Sequence, residues 1–172
     1  MNDDTKQQLL GNIRYAIRLT QRTARLYRRV QTVGIFLSIV GGSAAMTSIA
    51  TNIPAWVSSA GGVIFAIAGA MLIAVRPSDK AAQNEYDARR YQELMVKAVN
   101  MNEDELILAI EEAHQGDAPE IESLRNVAYN DVALEFNRPD MMFELSALQR
   151  LLKSLACIPL QQVKKDFSGR LK

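Results

Sequence analysis

The sequence predicts an all-α membrane protein in which a two-helix transmembrane hairpin links a cytoplasmic N-terminal helix to a C-terminal helical region. Residues 30–75 contain no Asp, Glu, Lys or Arg, and basic residues flank this block on both sides. Outside the block, apolar residues recur at helical spacing, and no convincing period-two strand pattern occurs. Because a soluble helix keeps one polar face, an uncharged run of this length favours a membrane setting.

The first element, residues 1–29, is predicted to be a basic amphipathic helix. Its arginines recur three or four residues apart and form what we call the arginine stripe: Arg14, Arg18, Arg22, Arg25 and Arg29. The stripe could lie on anionic headgroups, where each basic residue contributes up to about 1 kcal/mol. It could instead pair with acidic helices or bind an anionic ligand, or it could be a solvated face that only sets topology. Nucleic-acid binding is not expected, since the stripe is short and has few aromatic neighbours.

The uncharged block has the length of two membrane-spanning helices, since one span needs roughly 20 residues. Asn52 and Pro54 favour a turn between them, which places the first span at about 30–50 and the second at about 54–75. The alternative is a helical hairpin buried inside a soluble protein. Basic residues before the first span and after the second, with none in the turn, predict that both termini are cytoplasmic.

Both predicted spans carry small residues four apart on one face. These are Gly34, Ser38 and Gly42 in the first span, and Ser58, Gly62, Ala66 and Ala70 in the second. Membrane helices associate largely by the close packing that such faces allow. The two faces could pack only on each other. The first span, however, also offers Gly41 and Ala45 on an adjacent side, and this surplus favours a homo-oligomer of several hairpins.

Residues 76–158 are predicted to form a cytoplasmic helical region. Ser78 is a plausible N-cap for a helix that runs to about residue 100. Asn102 and Gly116 have the residue types of a helix start and stop, and Asp117 is expected to cap a third helix that ends near residue 137.

A last helix is predicted at about residues 140–157, followed by a flexible tail at 159–172. Its apolar residues follow spacings of four and three, which are typical of a short coiled-coil seam: Met141, Leu145, Leu148, Leu152 and Leu155. The seam could pack within one subunit or against a neighbouring copy, and the sequence leaves both arrangements open.

Residues that usually carry catalysis or bind cofactors are few. His114 is the only histidine and Cys157 the only cysteine, so a zinc site of Cys and His ligands is not available. The acidic run Glu103–Glu105 matches no calcium-loop spacing, and no glycine-rich phosphate loop occurs. We therefore expect no catalytic residue, no metal, no cofactor and no enzymatic activity. Because the spans contain no ionisable group, a proton relay or coupled transporter is also disfavoured.

The arrangement of these segments resembles the SLATT superfamily, the two-transmembrane effector domains found beside nucleotide-signalling genes in bacterial conflict systems. The resemblance covers roughly residues 10–100. It rests on "RLTQRTARLYRRV" before two close spans, a short turn, and a polar helix with "NEYDARRYQELM" after them. No catalytic residue is carried over, and the region from Met101 onward would serve sensing, assembly or partner binding.

The resemblance implies a multi-pass protein of the bacterial inner membrane that acts in an antiviral, abortive-infection response. Such an effector would oligomerise and form a pore or disrupt the bilayer when a nucleotide second messenger or a protein sensor triggers it. Two alternatives remain open. One is a membrane-anchored scaffold or adaptor that recruits a cytoplasmic partner, and the other is a small channel subunit.

Overall fold

The computed structural model describes residues 3–50 and 54–157, and within these ranges the chain is helical with no β-strand. This confirms the all-α prediction. Two stretches of helix are long and apolar enough to cross a membrane, judged by length and composition. In chain order the helices are α1 (Asp3–Ala50), α2 (Ala55–Val75), α3 (Pro77–Lys97), α4 (Glu103–Gln115), α5 (Arg125–Glu135) and α6 (Ala147–Leu155).

Helix α1 is a single continuous helix of 48 residues. It joins the basic segment to the first apolar segment without the boundary predicted at residues 29 and 30. At 1.5 Å per residue it is about 72 Å long, so one rigid element connects the two regions. The predicted turn residues Thr51–Ile53, the N-terminal residues 1–2 and the tail at 159–172 lie outside the described residues.

Arg76 alone separates α2 from α3, and its backbone is left-handed, with φ 48° and ψ 55°. Its N–H donates to the carbonyl of Leu72, which closes α2, and Pro77 is already the first residue of α3. The prediction of Ser78 as the N-cap is therefore wrong by two residues. Proline suits a first helical position because its φ is preset and its missing N–H would have no partner there.

The N-terminal half of α1 and helices α3 to α6 form what we call the polar region, with α1 at its centre. One apolar cluster joins Ile13 and Ala16 of α1 to Tyr91 and Leu94 of α3 and Leu106 of α4. A second cluster, listed here by its buried members, brings α1 against the chain beyond α4: Leu19, Leu26, Leu124, Ala128 and Ala156. Helices α3 to α6 therefore pack around one half of α1, and α2 packs along the other half.

Helix α4 is capped by Asn102, as the sequence predicts, and the cap is a reciprocal capping box. The side chain of Asn102 accepts from the N–H of Glu105 at 2.9 Å, and the Glu105 side chain accepts from the Asn102 N–H at 3.1 Å. Gly116 ends the helix, also as predicted.

Replacing Asn102 with alanine is expected to destabilise α4 by about 1 kcal/mol, because the Glu105 N–H loses its acceptor. Amide hydrogen exchange of the first turn of α4 would measure this loss. Asn100→Ala is the matched control, since Asn100 is exposed and precedes the cap. Equal exchange in the two variants would contradict the prediction.

The third predicted helix does not start at Asp117. Residues 117–121 are not helical, a 3-10 turn occupies Glu122–Leu124, and α5 runs from Arg125 to Glu135. The carboxylate of Asp117 is engaged by α3 instead, because it accepts from Arg90 Nη2 and from the Tyr91 hydroxyl, both at 2.6 Å.

The single helix predicted at about 140–157 is also wrong. Met141 lies in a 3-10 turn, and Leu145 precedes α6, which starts at Ala147 with Ser146 as its cap. The reason is a long-range contact: the Asn130 side chain donates to the Phe143 carbonyl and accepts from the Phe143 N–H, both at 2.8 Å. This pair holds residue 143 beside α5, so Met141 and Leu145 do not share a helix with Leu148, Leu152 and Leu155.

Candidate functional site: the apolar helix pair and its arginine-bearing base

Helices α1 and α2 approach each other most closely at two glycines. A Cβ atom on Gly41 would lie 2.7 Å from the carbonyl oxygen of Gly61 and 2.8 Å from the backbone nitrogen of Phe65. A Cβ on Gly61 would lie 2.7 Å from the carbonyl oxygen of Gly41. Since these neighbours are backbone atoms that cannot rotate away, only glycine fits at this crossing. Nearby, Ser58 Oγ donates to the carbonyl of Ala45 at 3.4 Å.

The predicted packing residues of α1 all lie along α2. Gly34 is buried, and a Cβ there would meet the side chain of Leu72. Ser38 donates to the Gly34 carbonyl at 2.9 Å, which satisfies its hydroxyl inside its own helix. A Cβ on Gly42 would be in ordinary contact with the ring of Phe65, at 3.4 Å.

The predicted packing face of α2 divides into two parts. Ser58 contacts α1, as described above. Gly62 would have no heavy atom within 4 Å of an added Cβ, and the same is true of Gly69. Ala66 and Ala70 are exposed. The second part of the predicted face, Gly62, Ala66 and Ala70, is therefore uncovered. Together with the neighbouring Gly69, which the prediction did not include, it forms what we define as the uncovered small-residue surface.

The closest approach of the two helices uses Gly41 and Gly61, the neighbours of Gly42 and Gly62 in the predicted packing faces. Both helices contain two consecutive glycines, Gly41–Gly42 and Gly61–Gly62. Consecutive residues of a helix point about 100° apart, so each pair offers two sides for packing. The two glycine pairs indicate in the sequence that the helices can approach closely. Only the crossing of the two helices determines that Gly41 and Gly61 make the contact.

An apolar groove of about 720 Å³ opens between α1 and α2 on the outside of the pair. Ser38 and Gly42 contribute small side chains from α1, and Phe65 and Leu72 contribute from α2. The groove contains no charged lining residue, so its chemistry suits an acyl chain or an apolar helix rather than an ionic ligand.

The first three members of the arginine stripe contact α5 and the turn after it. The guanidinium of Arg14 lies 4.7 Å from the centre of the Phe136 ring, and Arg18 pairs with Glu135. Arg22 is buried and binds Asp131 through two hydrogen bonds, of 2.5 and 2.8 Å. Pairing with acidic helices, one of the open interpretations, is thus observed for Arg18 and Arg22.

The last members of the stripe donate to the carboxyl end of α6. Arg22 donates to the carbonyl of Ala156 at 3.2 Å, Arg25 to that of Cys157 at 3.0 Å, and Arg29 to that of Ser154 at 3.3 Å. A helix leaves its last carbonyls without internal partners and carries partial negative charge at that end. Three guanidinium groups therefore hold α6 by its C-terminus. Partial burial lowers the pKa of Arg25, which stays charged at neutral pH.

A second polar network fastens the chain after α4 onto α3. The buried carboxylate of Asp87 accepts from the Ala118 N–H at 2.9 Å and pairs with Arg90 at 3.1 Å. Arg90 and Tyr91 both bind Asp117, as described above. Burial, together with the hydrogen bond to Asp117, raises the pKa of the Tyr91 hydroxyl. Sequence reasoning missed this network, whose only local signal is the run of polar residues around "DARRY".

The residues with catalytic potential are not brought together. The ring of His114 lies 5.9 Å from that of Tyr91, and Cys157 is exposed after α6. In residues 3–50 and 54–157, no group of three or more His, Cys, Asp or Glu side chains could hold a metal ion. Comparison of the chain with known protein families, with curated proteins and with solved structures finds no match.

Proposed function

We propose that this protein is a bacterial inner-membrane effector that oligomerises through its apolar helices and forms a pore or disrupts the bilayer. The observation that carries the proposal is the uncovered small-residue surface of α2 beside a tightly packed helix pair. One copy satisfies its own close crossing with Gly41 and Gly61. Gly62, Ala66, Gly69 and Ala70 then remain available to a further helix, which fits membrane association through small residues.

In this proposal α1 and α2 form a transmembrane hairpin with both chain termini in the cytoplasm. The basic residues beside the uncharged block support this orientation, since positive charge favours the cytoplasmic side. The region formed by α3 to α6 would receive the trigger, either a nucleotide second messenger or a protein sensor. The resemblance to SLATT effectors is what suggests an abortive-infection role.

Induced expression in a bacterium is expected to collapse the membrane potential and to admit a dye. Ala66→Leu should weaken this effect by about tenfold, because a leucine on a close-packed face costs roughly 1–3 kcal/mol of association. Ala60→Leu is the matched control: Ala60 is also exposed on α2 but points to a different side of the helix.

Three outcomes would contradict the proposal. They are a polarised membrane at high expression, equal effects of the two leucine substitutions, and a strictly monomeric mass in detergent. Steady conduction by reconstituted protein, without harm to the cell, would favour a small channel subunit instead.

A membrane-anchored adaptor is the second candidate, and two exposed apolar residues support it. Val99, after α3, and Leu108 of α4 are 74% and 72% exposed, although both are large apolar residues. Such residues on the polar region would suit a protein partner. Replacing residues 30–75 with an unrelated two-helix anchor should preserve the function of an adaptor. The same replacement should abolish the activity of a pore.

A further inference from the structure

We propose that the exposed leucine face of α6 docks into the headgroup layer of the membrane beside α1. The face consists of Leu148, Leu151 and Leu155, which are 56%, 57% and 38% exposed. On the protein-facing side, Leu152 of α6 and Ala156, which caps its C-terminus, pack into the cluster around Leu19 and Leu26. Helix α6 is thus held to the protein on one side and leaves three leucines uncovered on an adjacent side.

The arginine contacts place the end of α6 at the level where the apolar segment begins. Arg29 donates to the Ser154 carbonyl and immediately precedes Val30, the first residue of the uncharged block. Arg25 donates to the Cys157 carbonyl. It lies five residues before Val30, which is about 8 Å along the helix. The headgroup layer adds roughly 5–8 Å to each side of the hydrocarbon core. If α1 crosses the membrane as proposed above, the last turn of α6 lies at the depth of the headgroups.

The charge around the leucine face selects an anionic lipid surface as its partner. In the sequence beyond Cys157, residues 158–172 contain four basic residues and one acidic residue. Lys153 of α6 and the exposed Arg29, which contacts Ser154, add further positive charge. An apolar face flanked by basic residues is the pattern of a helix that lies in the membrane interface, where each basic residue adds about 1 kcal/mol. A second copy of the same chain would bring like charges together.

Full-length protein in lipid nanodiscs, with and without phosphatidylglycerol, allows a direct test by spin labelling. In a Cys157→Ser background, single labels are placed at Leu151→Cys, at Arg150→Cys on the polar side of α6, and at Ile67→Cys in α2. Leu151, Arg150 and Ile67 are all exposed, and the Arg150 substitution removes only an exposed hydrogen bond to the Leu145 carbonyl. Accessibility to oxygen, which partitions into lipid, is compared with accessibility to a water-soluble nickel chelate.

With phosphatidylglycerol present, the oxygen-to-nickel ratio at Leu151 is expected to exceed that at Arg150 several-fold and to remain below that at Ile67. Omitting the anionic lipid should lower the ratio at Leu151 and leave Ile67 unchanged. The inference would be overturned if the Leu151 label is as accessible to the nickel chelate as the Arg150 label while the Ile67 label is exposed to lipid. A Leu151 label closed to both reagents would also overturn it, since this would mean that protein covers the face. A water-exposed Ile67 would instead refute the proposed membrane insertion.

Discussion

Gly41→Ala is expected to push α1 and α2 apart and to destabilise the helix pair by about 1–3 kcal/mol, the usual range for overpacking. The new methyl group would meet the Gly61 carbonyl oxygen at 2.7 Å and the Phe65 nitrogen at 2.8 Å. Neither backbone atom can turn aside as a flexible side chain would. Relief therefore requires one helix to move, and the packing around Gly34 and Ser58 is lost with it.

Gly11→Ala is the matched control, because it makes the same change on α1 where the nearest heavy atom to the added Cβ, in the Phe136 ring, lies 3.9 Å away. Alanine is the better helix former by about 1 kcal/mol, so this variant should be neutral or more stable. The stabilities of both variants can be measured by unfolding the detergent-solubilised protein with SDS and monitoring the fluorescence of Trp56. The single tryptophan lies in the first turn of α2. Similar midpoints for the two variants would show that the Gly41–Gly61 crossing does not hold the pair together.

Arg22→Ala is expected to destabilise the polar region by roughly 3–5 kcal/mol, the usual cost of removing one partner from a buried ion pair. The side chains of Arg22 and Asp131 are only 6% and 17% exposed. The substitution would leave the Asp131 carboxylate largely buried without its cation, and it would remove a donor from the Ala156 carbonyl. For a chain of this size the loss should lower the thermal midpoint by on the order of 10 °C.

Circular dichroism of the full-length protein in detergent would follow this transition. Arg138→Ala serves as the control, since Arg138 and Asp140 form an exposed pair at 3.0 Å and its loss should leave the midpoint unchanged. Should Arg22→Ala fail to fold, the pair can be tested through Asp131→Asn, which keeps the size of the side chain and removes its charge. If the thermal midpoint of Asp131→Asn equals that of Arg138→Ala, the Arg22–Asp131 pair does not stabilise the protein.

The features that sequence predicted well depend on residues close together in the chain. Asn102 caps α4 through contacts within one turn, and Gly116 ends the same helix. The uncharged block is likewise a local property, so two apolar helices followed from it directly.

The errors arose where a residue's partner lies far away in sequence. Asp117 has the residue type of a helix cap, yet Arg90 and Tyr91 bind its carboxylate from α3. The spacing of Met141, Leu145 and Leu148 suits a helix, yet Asn130 binds the backbone of Phe143 and holds that segment beside α5. These long-range bonds compete with local helix propensity, and in both places they replace it.

The sequence by itself determined the helical class, the uncharged block and the regular spacing of the arginines, because each follows from residue type and period. Tertiary structure decided which glycine of each pair meets the other helix, and which arginines bind α5 and which bind α6. The physical reason is the same in both cases. A helix presents residues on every side, and only the position of its neighbours determines which side becomes buried.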